Sequence, residues 1–150
     1  MRILFVCTGN TCRSPMAEGY FRHLLEQSEI NDISVSSAGT SAFDGEPASS
    51  NSLSVMKDFG IDISGHRSRS LTEELIADSD LLVTMTGAHR DFILMSAPEA
   101  APKVHLLGEY SDGGAISDPF GGGKEIYRIC FESMKPALDG LFRKLAENKI

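Results

Sequence analysis

Arg2-Ile3-Leu4-Phe5-Val6-Cys7-Thr8-Gly9-Asn10-Thr11-Cys12-Arg13-Ser14-Pro15-Met16-Ala17-Glu18 carries the architecture of this 150-residue chain in one stretch. Its first five residues form a short apolar run that ends in a glycine-containing loop, the pattern of a strand buried on both faces. Ser14-Pro15 with Glu18 beyond reads as a helix start: Ser14 as N-cap, proline at the first helical position, an acid in the first turn. Phe21, Leu24 and Leu25 continue a helical stripe. A strand that passes through a tight loop into a helix opens a parallel α/β unit.

Outward from that unit the alternation continues. Ile33 to Ser36 alternates as a second strand, and 38–45 reads as a loop. Leu53, Met56 and Phe59 lie at helical spacing between Pro47 and Phe59, with Gly60 as the cap. Thr72 starts a short helix, 80–85 is a third strand, and a helix runs from Thr86 to about Met95, ahead of Pro98. Val104 to Leu107 is a fourth strand. A loop with six glycines spans 108–123, and a last helix runs from Lys124 to about Glu147. Pro136 lies inside that helix and is expected to kink or interrupt it. The order β-α-β-α-α-β-α-β-α predicts an α/β fold: a four-stranded parallel sheet between two helical layers, a three-layer α-β-α arrangement. Such sheets take ligands at the carboxyl ends of their strands. The length suits a single domain, residues 1–150, which should bury roughly 68–70% of its unfolded surface.

Composition narrows the function. With 41% hydrophobic and 23% charged residues the chain is an ordinary globular sequence. Fourteen Lys and Arg against 21 Asp and Glu give a formal charge of −7, which argues against nucleic-acid binding, although a small local anion site is compatible with it. No apolar run reaches the roughly 18 residues of a membrane helix, so no membrane partner is expected. Three cysteines, Cys7, Cys12 and Cys130, with no secretory segment point to a reducing, cytoplasmic setting.

The chemistry sits in Cys7-Thr8-Gly9-Asn10-Thr11-Cys12-Arg13-Ser14. Between a strand and a helix, such a loop directs consecutive backbone N–H groups and a helix N-terminus at one point, an anion cradle. Gly9 lets the backbone bend, and Arg13 adds a planar fork matched to phosphate. The Cys7 sulfur faces the same groups, which favour its thiolate form. A thiolate beneath a bound phosphate is a nucleophile aimed at phosphorus, and the implied intermediate is a phosphocysteine. A buried cysteine and a surface arginine joined by a turn would share the C-x5-R spacing; the strand–loop–helix context separates the two. Asp118-Pro119-Phe120-Gly121-Gly122 follows the fourth strand at the same sheet edge. One carboxylic acid there could protonate a leaving group and then serve as base for water. Phe120 would form an apolar wall. The same residues are also common turn chemistry.

These segments, with Ser37-Ala38-Gly39 and Gly60-Ile61-Asp62, resemble the low-molecular-weight protein tyrosine phosphatase family over essentially the whole chain. The resemblance implies a phosphorylated protein as substrate and a reaction that needs no metal; no cofactor is expected, and the chain is expected to be a monomer. It implies Cys7 as nucleophile, Arg13 as phosphate clamp and transition-state stabiliser, and Asp118 as general acid and then base. Thr8, Gly9, Asn10, Thr11, Cys12, Ser14 and Phe120 are expected around the substrate. Asn10, Ser14, Ser37 and His66 match a hydrogen-bond network that holds the loop, and Ser14 also suits the thiolate. Cys12 matches a loop cysteine that can pair with Cys7 under oxidation. Many tyrosine-directed members have Ile where this chain has Thr11. Thr11, with the 118–122 segment, resembles instead the bacterial protein arginine phosphatase branch: a hydroxyl suits a polar guanidinium, whereas a dry wall suits a phenyl ring. One aromatic at Phe120, where tyrosine-directed members often have two, leans the same way.

Two other readings use this fold. Thioredoxin-coupled arsenate reductases need further resolving cysteines after the third strand, and 80–95 hold none. A non-catalytic phosphate-binding module would lack the nucleophile, the clamp or the acid, and all three residue types are present.

Overall fold

Alternate residues of the first strand serve opposite layers. The computed structural model describes residues 1–148, and in it β1 (Arg2–Cys7) is buried from Ile3 onward. Ile3, Phe5 and Cys7 join one apolar cluster; Leu4 and Val6 join another. β2 (Ser34–Gly39), β3 (Leu81–Thr84) and β4 (Val104–Leu106) complete a parallel sheet in the order β2-β1-β3-β4. The helices are α1 (Arg13–Gln27), α2 (Ser50–Asp58), α3 (Glu73–Asp78), α4 (Gly87–Ser96) and α5 (Lys124–Glu147). The larger cluster packs α1, α2 and α5 on one face around Phe5, Phe21, Met56 and Phe131. The smaller one packs α3 and α4 on the other through Ile76 and Ile93. This is the expected three-layer arrangement. Each fully buried Phe or Leu contributes about 1.5–3 kcal/mol.

β1 pairs with β2 on one side and β3 on the other. The chain therefore winds outward in opposite directions from β1, and the crevice at its carboxyl end is the topological switch point. Cys7 is the last residue of β1 and so lies at that crevice.

Three local expectations differ from the structure. α1 begins at Arg13, with Cys12 at the N-cap and no side-chain cap. Ser14 is therefore the second helical residue; its hydroxyl bonds the Cys7 sulfur and accepts from Asn10 instead of capping. α2 begins at Ser50, not near Pro47, because Ser49 accepts from the Ser52 N–H and sets the start there. α5 runs unbroken through Pro136. The proline removes one backbone hydrogen bond, but the turns on either side bury Cys130, Phe131, Met134, Leu138 and Leu141, which outweighs that loss. Gly60, just past α2, takes φ +78, as a left-handed helix terminus requires. Two short 3-10 segments, Pro98–Lys103 and Leu107–Tyr110, flank β4. They are too short to show a sequence period.

Candidate active site

Cys7 lies at the floor of a cavity of about 370 Å³. Thr8, Gly9, Thr11, Cys12 and Arg13 form one wall. Asp118 and Phe120 form a second, and Ser41, Phe43 and Glu46 a third. The uncapped N-terminus of α1 opens here, which favours an anion.

Behind the loop, every polar side chain has a buried partner. Asn10 takes φ +58, a left-handed conformation that asparagine tolerates. Its Nδ2 donates to Ser14 Oγ at 2.8 Å and to Ser37 Oγ at 2.9 Å; its Oδ1 accepts from the Arg69 N–H at 2.9 Å. Because Ser14 Oγ accepts from Asn10, its own hydrogen is left for Cys7 Sγ, 2.9 Å away. Ser37 passes its hydrogen on to Glu18 Oε1 at 2.6 Å. His66 Nε2 donates to the Asn10 carbonyl at 2.7 Å, and Glu18 also pairs with Arg22. Gly39 sits against this loop: a Cβ there would collide with the Thr8 carbonyl oxygen and lie 3.0 Å from Asn10 N.

Arg13 is 4% exposed. Nη1 donates to the Ile116 carbonyl at 2.9 Å, and Nη2 donates to Thr8 Oγ1 at 3.3 Å and sits 3.6 Å from Asp118 Oδ2. Nε is the one buried side-chain nitrogen or oxygen without a hydrogen-bond partner among the described residues. A buried, charged N–H with no acceptor is costly, and an oxyanion in the cradle is the kind of group that would satisfy it. Asp118 does two things at once. Oδ1 accepts from the Phe120 N–H at 3.0 Å, an Asx turn, while Oδ2 faces Arg13. The segment combines a turn with a place on the cavity wall.

Thr8, Gly9, Thr11, Cys12 and Phe120 line the cavity with Cys7, Arg13 and Asp118. Asn10 and Ser14, expected around the substrate, do not; both are wholly buried, behind the loop. They and Ser37 and His66 make up the loop-holding network. Sequence reasoning missed Glu18 and Arg69 in that network, and Ser41, Phe43 and Glu46 on the rim. Phe43 supplies a second aromatic from a different loop, 80% exposed beside Phe120 at 81%. The wall it belongs to is tied down by Thr40 N–H to the Cys7 carbonyl and Ser41 N–H to the Thr8 carbonyl, both 2.9 Å.

The three cysteines are free thiols. Cys12 Sγ lies 3.2 Å from the Tyr127 hydroxyl. Burial first, then the bond to Cys12, pushes that phenol up to about 12. Burial likewise pushes the Cys130 thiol up to about 12, with Arg13 opposing, so it is an inert core residue.

A strand-end cysteine, an uncapped helix N-terminus, a buried arginine and a carboxylate meet around one cavity, the arrangement of a candidate phosphatase site. The family model described as "Low molecular weight phosphotyrosine protein phosphatase" matches residues 2–150, and the chain belongs to that family. It is 42% identical over 146 residues to a protein-arginine-phosphatase of Geobacillus stearothermophilus, covering 96% of this chain and 95% of that one. A second protein-arginine-phosphatase, from Bacillus subtilis, is 37% identical over 99% of both chains. Among solved structures, the arginine phosphatase YwlE from Geobacillus stearothermophilus superposes with TM-score 0.89 at 41% identity, covering 99% of this chain and 94% of that one. A cysteine-to-serine variant of a YwlE arginine phosphatase, with its active-site serine phosphorylated, superposes with TM-score 0.91 at 36% identity, over 97% and 96%.

Proposed function

We propose that residues 1–150 form a single phosphatase domain that hydrolyses phosphorylated protein side chains, phosphoarginine in preference to phosphotyrosine, through a phosphocysteine intermediate. The observation that carries this reading is the pairing of a buried Cys7 sulfur with an Arg13 guanidinium whose Nε has no acceptor, in one open cavity. Cys7 sulfur attacks phosphorus; the S–P bond forms as the bond from phosphorus to the side-chain nitrogen or oxygen breaks. Asp118 gives the leaving atom its proton. Asp118 then takes a proton from water, whose oxygen attacks phosphorus. The S–P bond breaks, the thiolate returns, and inorganic phosphate leaves. Arg13 and the loop N–H groups offset the charge on the phosphoryl oxygens, and the Ser14 hydrogen bond stabilises the sulfur between steps. The phosphorylated serine of the YwlE variant supports the placement of the phosphoryl group on the residue equivalent to Cys7.

The preference for phosphoarginine is supported by Thr11 on the cavity wall, by the carboxylates of Asp118 and Glu46 beside it, and by the two relatives named arginine phosphatases. The second reading, phosphotyrosine, is favoured by one observation: Phe43 and Phe120 together offer two aromatic faces at the mouth. Those faces stack a guanidinium plane as readily as a phenyl ring. The protein is read as a cytoplasmic monomer that needs no cofactor, in a compartment that keeps Cys7 reduced. The test is kcat/KM on matched phosphoarginine and phosphotyrosine peptides. A ratio above one for phosphoarginine is expected; a ratio below one transfers the assignment to phosphotyrosine.

A further inference from the structure

His89 lies on α4, outside the loop that carries the chemistry, and it is 6% exposed. The Thr86 N–H donates to His89 Nδ1 at 3.2 Å. A backbone N–H cannot accept, so Nδ1 bears no proton, and the neutral ring carries its proton on Nε2. Nε2 lies 2.9 Å from Thr8 Oγ1 and therefore donates to it. Arg13 Nη2 donates to the same oxygen at 3.3 Å. Two N–H groups thus occupy both lone pairs of Thr8 Oγ1, which leaves its hydroxyl only one role, that of donor. Thr8 lines the cavity together with Arg13 and Asp118.

We propose that His89 is a positioning residue: by fixing Thr8 as an acceptor it turns the Thr8 hydrogen toward a bound phosphoryl oxygen and braces the Arg13 guanidinium from behind. The ligand chemistry is a tetrahedral oxyanion, and the inference rests on the reading of the cavity as a phosphoryl site. The ring is suited to the part. Burial first, then the nearby Arg13 charge, lowers its pKa to about 4 against the opposing pull of Asp118, so it stays neutral and keeps one tautomer. His89 also closes the capping box of α4 through Nδ1, so its two nitrogens have separable duties.

Substitutions divide those duties. Gln places a donor near the position of Nε2, whereas Asn places an acceptor near Nδ1 and does not reach Thr8. His89→Asn, His89→Gln, Thr8→Val and the Asn/Val double variant are compared by inorganic phosphate binding (calorimetry on the reduced protein), by kcat and KM on p-nitrophenyl phosphate, and by thermal unfolding. For His89→Asn, about tenfold weaker phosphate binding and a KM raised by the same factor are expected, with thermal stability near wild type. His89→Gln should recover most of the binding even where it lowers Tm. In the Thr8→Val background the Asn substitution should add nothing. Wild-type phosphate binding by His89→Asn or by Thr8→Val overturns the proposal, and so do losses that follow Tm or multiply in the double variant. Should a His89 variant not fold, Thr8→Val alone decides. Phosphate binding that depends on His89 and Thr8 without turnover would sink the phosphatase reading alone. Turnover indifferent to both residues would sink this inference alone.

Discussion

The cavity is built from two loops of opposite character. In the 7–14 loop Asn10 and Ser14 are wholly buried, and each hydrogen bond they make ends on another buried or part-buried group. In the loop between β4 and α5, the Asp118 side chain is 51% exposed and is held by one Asx turn and one contact to Arg13. Under the proposed function, a sulfur that approaches phosphorus in line benefits from a fixed setting, since small displacements are expensive in rate. An acid that exchanges protons with water benefits from access to it. On this account, change to the buried framework of the first loop harms every substrate alike, whereas change in the second loop, or at the cavity-facing Thr11, depends on the substrate.

The largest expected effect is from Cys7→Ser. Turnover should fall on the order of 10⁴-fold or more, with the fold kept and the serine slowly retaining a phosphoryl group visible by intact mass. Residual turnover near wild type would remove sulfur from the mechanism. Asp118→Asn should lower kcat about 10²–10³-fold on poor leaving groups and much less on p-nitrophenyl phosphate. Equal losses across a leaving-group series would take the acid role away from Asp118. Gly39→Ala should push on the first loop, because its Cβ would meet the Thr8 carbonyl oxygen and lie 2.9 Å from Ala42 Cβ. A loss of about 10²-fold in kcat/KM follows if that displaces Cys7 by an ångström. Gly123→Ala, with nothing within 4 Å, is the control in the second loop and should leave kcat/KM unchanged. Thr11→Ile should move the phosphoarginine-to-phosphotyrosine ratio by about tenfold toward phosphotyrosine.

A smaller effect concerns stability. His89 has its folded pKa lowered from 6.5 to about 4. Between those values the unfolded chain takes up a proton that the folded chain refuses, so stability is complete above 6.5 and falls as pH drops toward 4. The contribution is on the order of 2–3 kcal/mol, read by urea unfolding at pH 7.5 and 4.5. His89→Gln should flatten that difference; an unchanged slope would mean that the imidazole is not held neutral.

The sheet and its helices were legible because each strand is a short apolar run and each helix has a period or a cap. Thr72 and Thr86 stand at their helix starts as N-caps, and α5 begins at Lys124 directly after the glycines. The 7–14 loop and its place on the cavity were legible because its parts are contiguous. What was not legible came from elsewhere in the chain. Ser14 looked like a cap because serine before proline usually is one, but only the folded loop brings Cys7 Sγ to its hydroxyl. Phe43 and Glu46 sit in a serine-rich loop with no period, and their place on the rim depends on backbone bonds from Thr40 and Ser41 to Cys7 and Thr8. His89 read only as part of a helix; its approach to Thr8 crosses 81 residues of sequence. The interruption expected at Pro136 does not occur because a local penalty is set against packing visible only in three dimensions.

The central claim is tested most directly by rapid acid quench of the wild-type enzyme during turnover of p-nitrophenyl phosphate, followed by peptide mapping. A phosphoryl group on the peptide that contains Cys7, formed and lost at rates matching turnover, is the result this account predicts. Turnover without any phosphorylated Cys7 peptide, or with the label on another residue, would contradict it.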